Sequence, residues 1–231
     1  MKAIKIKHSN RNHHNWLIYK ITERVLLKNT NLYNGTVYDL GCGEKPYESF
    51  FRKFVQHYIG VDWSNTPHKL NADIVADLNK TLPIDSGVAE VIISISVLEH
   101  LCEPQIMLNE AFRILKPGGT ILLQVPWQWW IHEAPYDYYR YSPFGLKYLF
   151  EKSGFTKVDV QPTGGYFSTA ILKFNYFTLR LINLPKPIRA VLKGLLIPVW
   201  YVGQTIAPIL DKIDRNWILE APGYWVIAKK V

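Results

Sequence analysis

The sequence predicts an α/β fold: a doubly wound, mostly parallel seven-stranded sheet with a helical insertion before its last strand. Three observations carry this expectation. Strand-like and helix-like segments alternate between residues 36 and 160 with short connections, the rhythm of parallel strands joined by helical crossovers. Residues 88–95 are almost continuously apolar, as a strand buried on both faces must be. Beyond Gly164-Gly165 the rhythm breaks, and strand character returns only at 223–229.

Each element has its own signature. Residues 13–29 place Trp16, Leu17, Tyr19, Val25 and Leu26 at helical spacing. Residues 36–40 read as the first strand, 47–56 as a helix, 58–62 as the second strand and 73–76 as a short third. After the buried strand at 88–95, a helix over 104–115 opens on Glu-Pro and stops before Lys116-Pro-Gly-Gly. A fifth strand at 120–125, a helix at 142–152 and a sixth strand at 155–160 follow, and 223–229 is expected beside the sixth. The chain therefore divides into a basic N-terminal segment with its helix (1–31), a ligand-binding core (32–165), an apolar and basic helical insertion (166–220) and the closing strand (221–231).

Composition narrows the classes. With 231 residues, 48% hydrophobic and 20% charged, the chain can hold a packed core and is not a disordered polymer. Two cysteines, Cys42 and Cys102, make no disulfide framework and no paired metal motif, so a reducing, cytoplasmic setting is expected. The N-terminus lacks the apolar run of a signal peptide. The net charge of +8 is uneven: +6 over residues 1–31, −4 over 32–164 and +6 over 165–231. A nucleic-acid-binding face would carry its basic residues around the central segment, so nucleic acid is not an expected partner.

The first strand runs into Tyr38-Asp-Leu-Gly-Cys-Gly43. Glycines at such a turn allow a ligand close to the backbone, and the helix that follows offers free N–H groups. Asp62 ends the second strand 19 residues after Gly43, where a carboxylate can accept both ribose hydroxyls. Asp77-Leu78 follows the third strand and suits an adenine amino group and ring face. A dinucleotide fingerprint would need a third glycine where Pro46 stands, and Asp39 and Glu44 would repel a pyrophosphate. A sulfonium-bearing nucleoside suits this acidic turn better.

These residues resemble the class I S-adenosylmethionine-dependent methyltransferases. The likeness rests on Val37-Tyr-Asp-Leu-Gly-Cys-Gly43, Ile59-Gly-Val-Asp62, Ala76-Asp-Leu78 with Leu82-Pro-Ile-Asp85, the segment 91–100 ending Val-Leu-Glu-His, and Leu115-Lys-Pro-Gly-Gly-Thr120. It covers about residues 35–160, with Lys45 standing where the common motif has a further glycine. The resemblance implies a Rossmann-like methyltransferase fold and S-adenosylmethionine as cofactor. It places Asp39, Gly41, Cys42 and Gly43 around the methionine moiety, Asp62 and Trp63 at the ribose, Asp77 and Leu78 at the adenine, and Ile95 and Ser96 along the site.

The acceptor is expected at residues 126–143, which follow the fifth strand and set His132, Glu133, Asp137 and Arg140 among aromatic residues. A similar His-Glu…Asp-Tyr-x-Arg-x-Ser-Pro stretch occurs in methyltransferases that look associated with surface-glycan synthesis. A hydroxyl acceptor benefits from a base. His132 is the first candidate, oriented by Glu133 or Asp137, and His100 is the second. Trp127, Trp130, Glu133, Tyr136 and Arg140 are the expected acceptor contacts, with Trp packing in a lid and an Arg140–Asp137 ion pair as the competing structural readings. No metal is expected, since Tyr136 breaks the His-Glu-x-x-His pattern. An Ile-Ser-Val-Leu sequence after the fourth strand, in place of Asn/Asp-Pro-Pro-Tyr/Phe, disfavours methylation of base amines.

The expected reaction is therefore O-methylation of a sugar or glycolipid precursor. The alternatives are a small-molecule or quinone-type methyltransferase with an apolar acceptor, and a binding protein that keeps the cofactor fold without catalysis. Residues 166–210 carry Lys173, Arg180, Lys186, Arg189 and Lys193 beside apolar runs, which leaves three roles open: peripheral contact with the inner face of a membrane, a cap over the cleft, or a homodimer interface. Pro198 and Pro208 are read as interruptions that leave less than the ~20 apolar residues a spanning helix needs.

Overall fold

The computed structural model describes residues 10–65, 69–182, 185–213 and 217–231, so the basic stretch at 1–9 lies outside the described residues. Two compact units emerge, one built from 29–127, 131–161 and 224–231, the other from the N-terminal residues through 28 together with 128–130 and 162–223.

The first unit is the sheet. Its strands are β1 (Thr36–Leu40), β2 (His57–Asp62), β3 (Ile74–Val75), β4 (Ala89–Ile95), β5 (Leu115–Pro126), β6 (Thr156–Pro162) and β7 (Gly223–Lys229), in the order β3-β2-β1-β4-β5-β7-β6. The pairs β1–β2, β1–β4, β2–β3 and β4–β5 are parallel, with Asp39 opposite Gly60 and Ile93. Gly118 and Gly119, early in β5, exchange backbone hydrogen bonds with Lys230 just past β7, so β7 runs against β5. The result is the expected fold: seven strands, parallel but for the last reversal, with the helical insertion before β7. Strand order reverses between β1 and β4, and a crevice outside the carboxyl ends of the strands at such a point is where open α/β sheets bind ligands.

The core follows from the apolar runs. Val91, Ile92 and Ile93 of β4 and Ile121, Leu122 and Leu123 of β5 are buried, each contributing about 1.5–3 kcal/mol of transfer free energy. The crossover helices are α2 (Glu48–Phe51), α3 (Pro104–Ile114) and α4 (Pro143–Lys152). Ser142 caps α4 by accepting from the Gly145 N–H at 3.2 Å, with Pro143 at its first position. Two elements are shorter than expected. The helix anticipated at 47–56 closes after one turn, where Phe50, Phe51 and Phe54 pack edge-on around Tyr33, so aromatic packing sets the path. The third strand pairs over only two residues, which leaves Asp77 in a turn beyond its end.

The second unit is helical: α1 (Trp16–Lys28), α5 (Tyr166–Leu181) and α6 (Lys186–Leu210). The interruptions expected in the insertion are absent, since α6 runs unbroken for 25 residues through Pro198 and Pro208. Among the described residues it is the helix long and apolar enough to cross a membrane by length and composition. Its buried residues are Trp200, Gln204 and Ala207. Gln204 accepts from the Leu17 N–H and donates to the His13 carbonyl, both at 2.9 Å, while the Trp200 indole N–H donates to Thr178 Oγ1 at 2.9 Å. Asp211, just beyond α6, accepts from the N–H groups of Gly165, Phe167 and Ser168 and from the Ser168 hydroxyl, placing a carboxylate at the α5 N-terminus.

Candidate active site

The carboxyl end of β1 builds the first half of the site. Gly41 sits at φ +81°, and a Cβ there would meet Val97 at 2.3 Å, so both backbone and space demand glycine. The N–H groups of Gly41 and Cys42 donate to the Val61 carbonyl, folding the turn across β2. The Gly43 N–H donates to Asp62 Oδ2 at 2.6 Å, and the Trp63 N–H to Asp62 Oδ1 at 2.8 Å, which fixes the buried Asp62 carboxylate beside the turn. Nothing lies within 4 Å of the point a Gly43 Cβ would occupy, so the turn is open there to an incoming ligand.

Asp39 is buried beneath this turn and accepts from the Tyr58 hydroxyl. Burial pushes its carboxyl up to about 7, and Asp62 adds to the effect. A cation near this carboxylate relieves the cost of its burial. The Cys42 thiol, buried beside Asp39 and Asp62, is pushed up to about 12 and is no nucleophile. Lys45, at the position of the motif's further glycine, adopts the left-handed φ of +54° that glycine would favour, and its Nζ pairs with Asp73 Oδ2 at 2.6 Å.

Leu78 is buried as an adenine-facing wall would be, but Asp77 is differently employed. Its Oδ1 accepts from the Asn79 backbone and side-chain amides, at 2.9 and 3.0 Å, and Lys80 lies at 3.4 Å. Burial acts against ionisation, yet these partners hold its carboxyl below the ordinary value. Ile95 closes β4 half-buried, and Ser96 follows at φ +57°, its N–H bonded to the Gln124 carbonyl.

The second half lies past β4 and β5. His132 and His100 meet edge-on, ring centroids 4.7 Å apart. The His132 backbone N–H donates to Asp137 Oδ2 at 2.9 Å, and the ring Nδ1 lies 3.3 Å from the same oxygen without hydrogen-bond geometry, so Asp137 fixes the backbone that carries His132. Glu133 faces His100 instead, at 3.8 Å. Arg140 grips Asp137 with two bonds of 2.5 and 2.6 Å, the ion pair that stood as the structural reading of Arg140. Burial opposes ionisation of Asp137, but Arg140 and the His132 N–H hold its carboxyl at about 2. Burial, with His100 nearby, keeps the His132 imidazole below its ordinary value and therefore neutral at physiological pH.

Glu99 is the residue that sequence reasoning missed. It has no exposure, neither carboxylate oxygen has a hydrogen-bond partner among the described residues, and burial pushes it up to about 8. His100 Nε2 and His132 Nε2 lie 3.7 and 3.9 Å from its Oε1. The Leu-Glu-His sequence contained it, but nothing local marks a glutamate destined for the interior.

Of the expected aromatic contacts, Tyr136 packs edge-on against Trp63 at 5.0 Å, joining the cofactor and acceptor halves. Trp127 lies against Tyr224 in the sheet unit. Trp130 belongs to the helical unit and packs on Tyr176 with Trp129, the packing role that competed with acceptor contact.

A parallel sheet with this turn, these acidic groups and a switch point between β1 and β4 defines a Rossmann-like, nucleoside-binding protein of the methyltransferase class. A methyltransferase domain model matches residues 12–160, and the chain belongs to that family, whose class uses S-adenosylmethionine. It is 29% identical over 96 residues to an S-adenosylmethionine-dependent methyltransferase of Mycolicibacterium smegmatis, a stretch covering 39% of this chain and 37% of that relative. The fold resembles an S-adenosylmethionine-dependent methyltransferase of Archaeoglobus fulgidus (TM-score 0.56, 18% identity, 91% of this chain and 94% of that one). It also resembles the Haemonchus contortus phosphoethanolamine N-methyltransferase 2 bound to S-adenosylmethionine (TM-score 0.58, 16% identity, 97% of this chain and 57% of that one). The open turn at Gly43 and the buried carboxylates of Asp39 and Asp62 fit that cofactor's ribose and cationic end.

Proposed function

We propose that this protein moves the methyl group of S-adenosylmethionine to a hydroxyl oxygen of a sugar or glycolipid precursor. When bound, the cofactor supplies a methyl group activated by its sulfonium. Asp62 receives the ribose hydroxyls, Asp39 balances positive charge, and Leu78 covers the adenine. The observation that carries the oxygen acceptor is His132, its backbone fixed by Asp137 and its neutral imidazole beside His100 and Glu99. This cluster draws off the acceptor's proton as the carbon–oxygen bond forms, with His132 the expected base.

The lipid-linked part of the reading is supported by the helical unit. Ile188, Val191, Leu195, Val199, Val202, Ile206 and Ile209 recur every three or four residues along α6, and all are exposed. Lys186, Arg189 and Lys193 are exposed at its N-terminal end. An apolar groove lined by Ile171, Pro198, Val199, Val202 and Gly203 lies on the same unit. An apolar stripe with basic residues at one end suits the interface of an anionic bilayer, and this supports a peripheral position at the inner face of the membrane.

Tritium-methyl S-adenosylmethionine, offered with free sugars, nucleotide sugars, lipid-linked sugars and a quinol, tests the reading. Label is expected as an alkali-stable ether on a sugar, with turnover reduced about 100-fold or more in His132→Ala while cofactor affinity holds. Label on the quinol favours the apolar-acceptor alternative. Absence of transfer with cofactor binding intact favours a binding protein.

A further inference from the structure

We infer that Glu99, His100 and His132 form a binding site for a divalent transition-metal ion of the zinc, cobalt or manganese kind. One carboxylate oxygen and two imidazole nitrogens converge within 4.8 Å of one another. Ligand atoms sharing one such ion through bonds of about 2.0–2.2 Å sit about 3–3.5 Å apart, so small side-chain rotations close the site.

Two further observations point to a ligand. Glu99 is fully buried, and both its oxygens lack a hydrogen-bond donor among the described residues. A buried carboxylate in that condition is costly unless a cation meets it. The nitrogen of His100 turned away from Glu99 is held as that of a metal-bound histidine is. His100 Nδ1 lies 2.9 Å from the Tyr136 carbonyl, which requires the proton on Nδ1 and leaves the Nε2 lone pair facing Glu99. Such an outer partner fixes the ring and raises ligand basicity. His132 is placed by its backbone N–H, which donates to Asp137 Oδ2 at 2.9 Å, and its Nε2 again faces inward.

Two imidazoles and one carboxylate suit borderline divalent ions and leave a position open for a further oxygen ligand. The inference deepens the proposed oxygen methylation and rests on it for its chemical purpose. An acceptor hydroxyl bound to the ion is acidified. Its proton passes to water, its oxygen keeps the electron pair for the new carbon–oxygen bond, and the carbon–sulfur pair leaves with sulfur. The histidines then hold the ion, so the proton removal assigned to this cluster runs through the ion, and His132→Ala loses turnover by losing it.

Calorimetric titration of chelator-stripped protein with zinc chloride, and separately manganese chloride, tests the site without cofactor or acceptor. One ion per chain is expected for at least one metal, with affinity reduced at least 100-fold in Glu99→Gln and in His132→Gln, and about 10- to 100-fold in Asp137→Asn. A thermal readout accompanies it: the metal raises the melting temperature of the parent chain and leaves that of Glu99→Gln unchanged. Absence of saturable binding overturns the site, as does binding that survives Glu99→Gln, which places the ion elsewhere. Should Glu99→Gln not fold, His132→Gln decides. Metal bound without any methyl transfer sinks the acceptor reading alone, and transfer that persists with no ion bound sinks the metal site alone.

Discussion

Val91, Ile92, Ile93, Leu122 and Leu123 fill the interior of the sheet unit, whereas the helical unit buries Asn175, Gln204, Thr178, Ser168 and Asp211 and leaves a row of Ile, Val and Leu outside. The helical unit has an apolar core of its own, with Leu17, Ile21 and Leu172 packed against Trp16, Ile18, Trp129 and Ile171. Hydrogen bonds between α1, α5 and α6 also join its helices, and α6 turns apolar side chains outward. One chain thus carries two units that differ in what they turn outward. The difference teaches that composition alone misleads here, since both units bury apolar residues and only the helical one also turns a long row of them outward.

The largest expected effect strikes the helical unit. Asp211→Ala leaves three backbone N–H groups and the Ser168 hydroxyl without their acceptor, for a cost of about 3 kcal/mol. Limited proteolysis should then cut within 166–210 well before the sheet unit, and equal resistance would break the comparison. Gly41→Ala attacks the sheet unit in the opposite way, by overfilling. Its Cβ meets Val97 at 2.3 Å at a left-handed φ, which should cost about 2–3 kcal/mol by denaturant melting and abolish measurable cofactor binding.

A smaller effect follows from Asp39. Its carboxyl titrates at about 7 in the free protein because of burial, above its value of 3.8 in an unfolded chain. The free sheet unit therefore gains stability as pH falls from about 7 toward 4, since the folded state takes up the proton first. A cationic ligand prefers the ionised carboxylate, so cofactor affinity should rise about tenfold between about pH 6 and pH 8. Calorimetry across that range checks it, and Asp39→Asn should flatten the profile. The smallest effect on stability is expected on the outer face of α6. Replacing Val191, Leu195 and Val202 with Ser should change melting by about 0.5 kcal/mol or less per site, while recovery with anionic liposomes in flotation is lost. A large drop in melting would mean that this face is covered by protein.

Most of the sheet was legible because each strand declares itself locally, through the apolar run at 88–95 or the glycines at 41 and 43. The continuity of α6 was not, because Pro198 and Pro208 are strong breakers in water. In an apolar helix, neighbouring helices and local adjustments make up for the hydrogen bonds they remove. At the site, Asp62 and His132 were read from position, but Glu99 gains its meaning only when His132, 33 residues further on, returns to it. The turn at Asp77 was not legible either: Asn79, two residues on, donates to its Oδ1.

Lys45 carries a consequence for the history of the chain. Its Cε lies 2.5 Å from where a Cβ on Gly60 would stand, so the two positions share one volume. A descendant that placed a side chain at 60 would have to shorten the one at 45 and make room at Cys42, whose Sγ lies 2.7 Å from the same point, and Asp73, which receives both the Lys45 ammonium and the Gly60 N–H, would lose a partner in the exchange. Positions 45, 60 and 73 should therefore change together among relatives, and a lysine at 45 should travel with a glycine at 60.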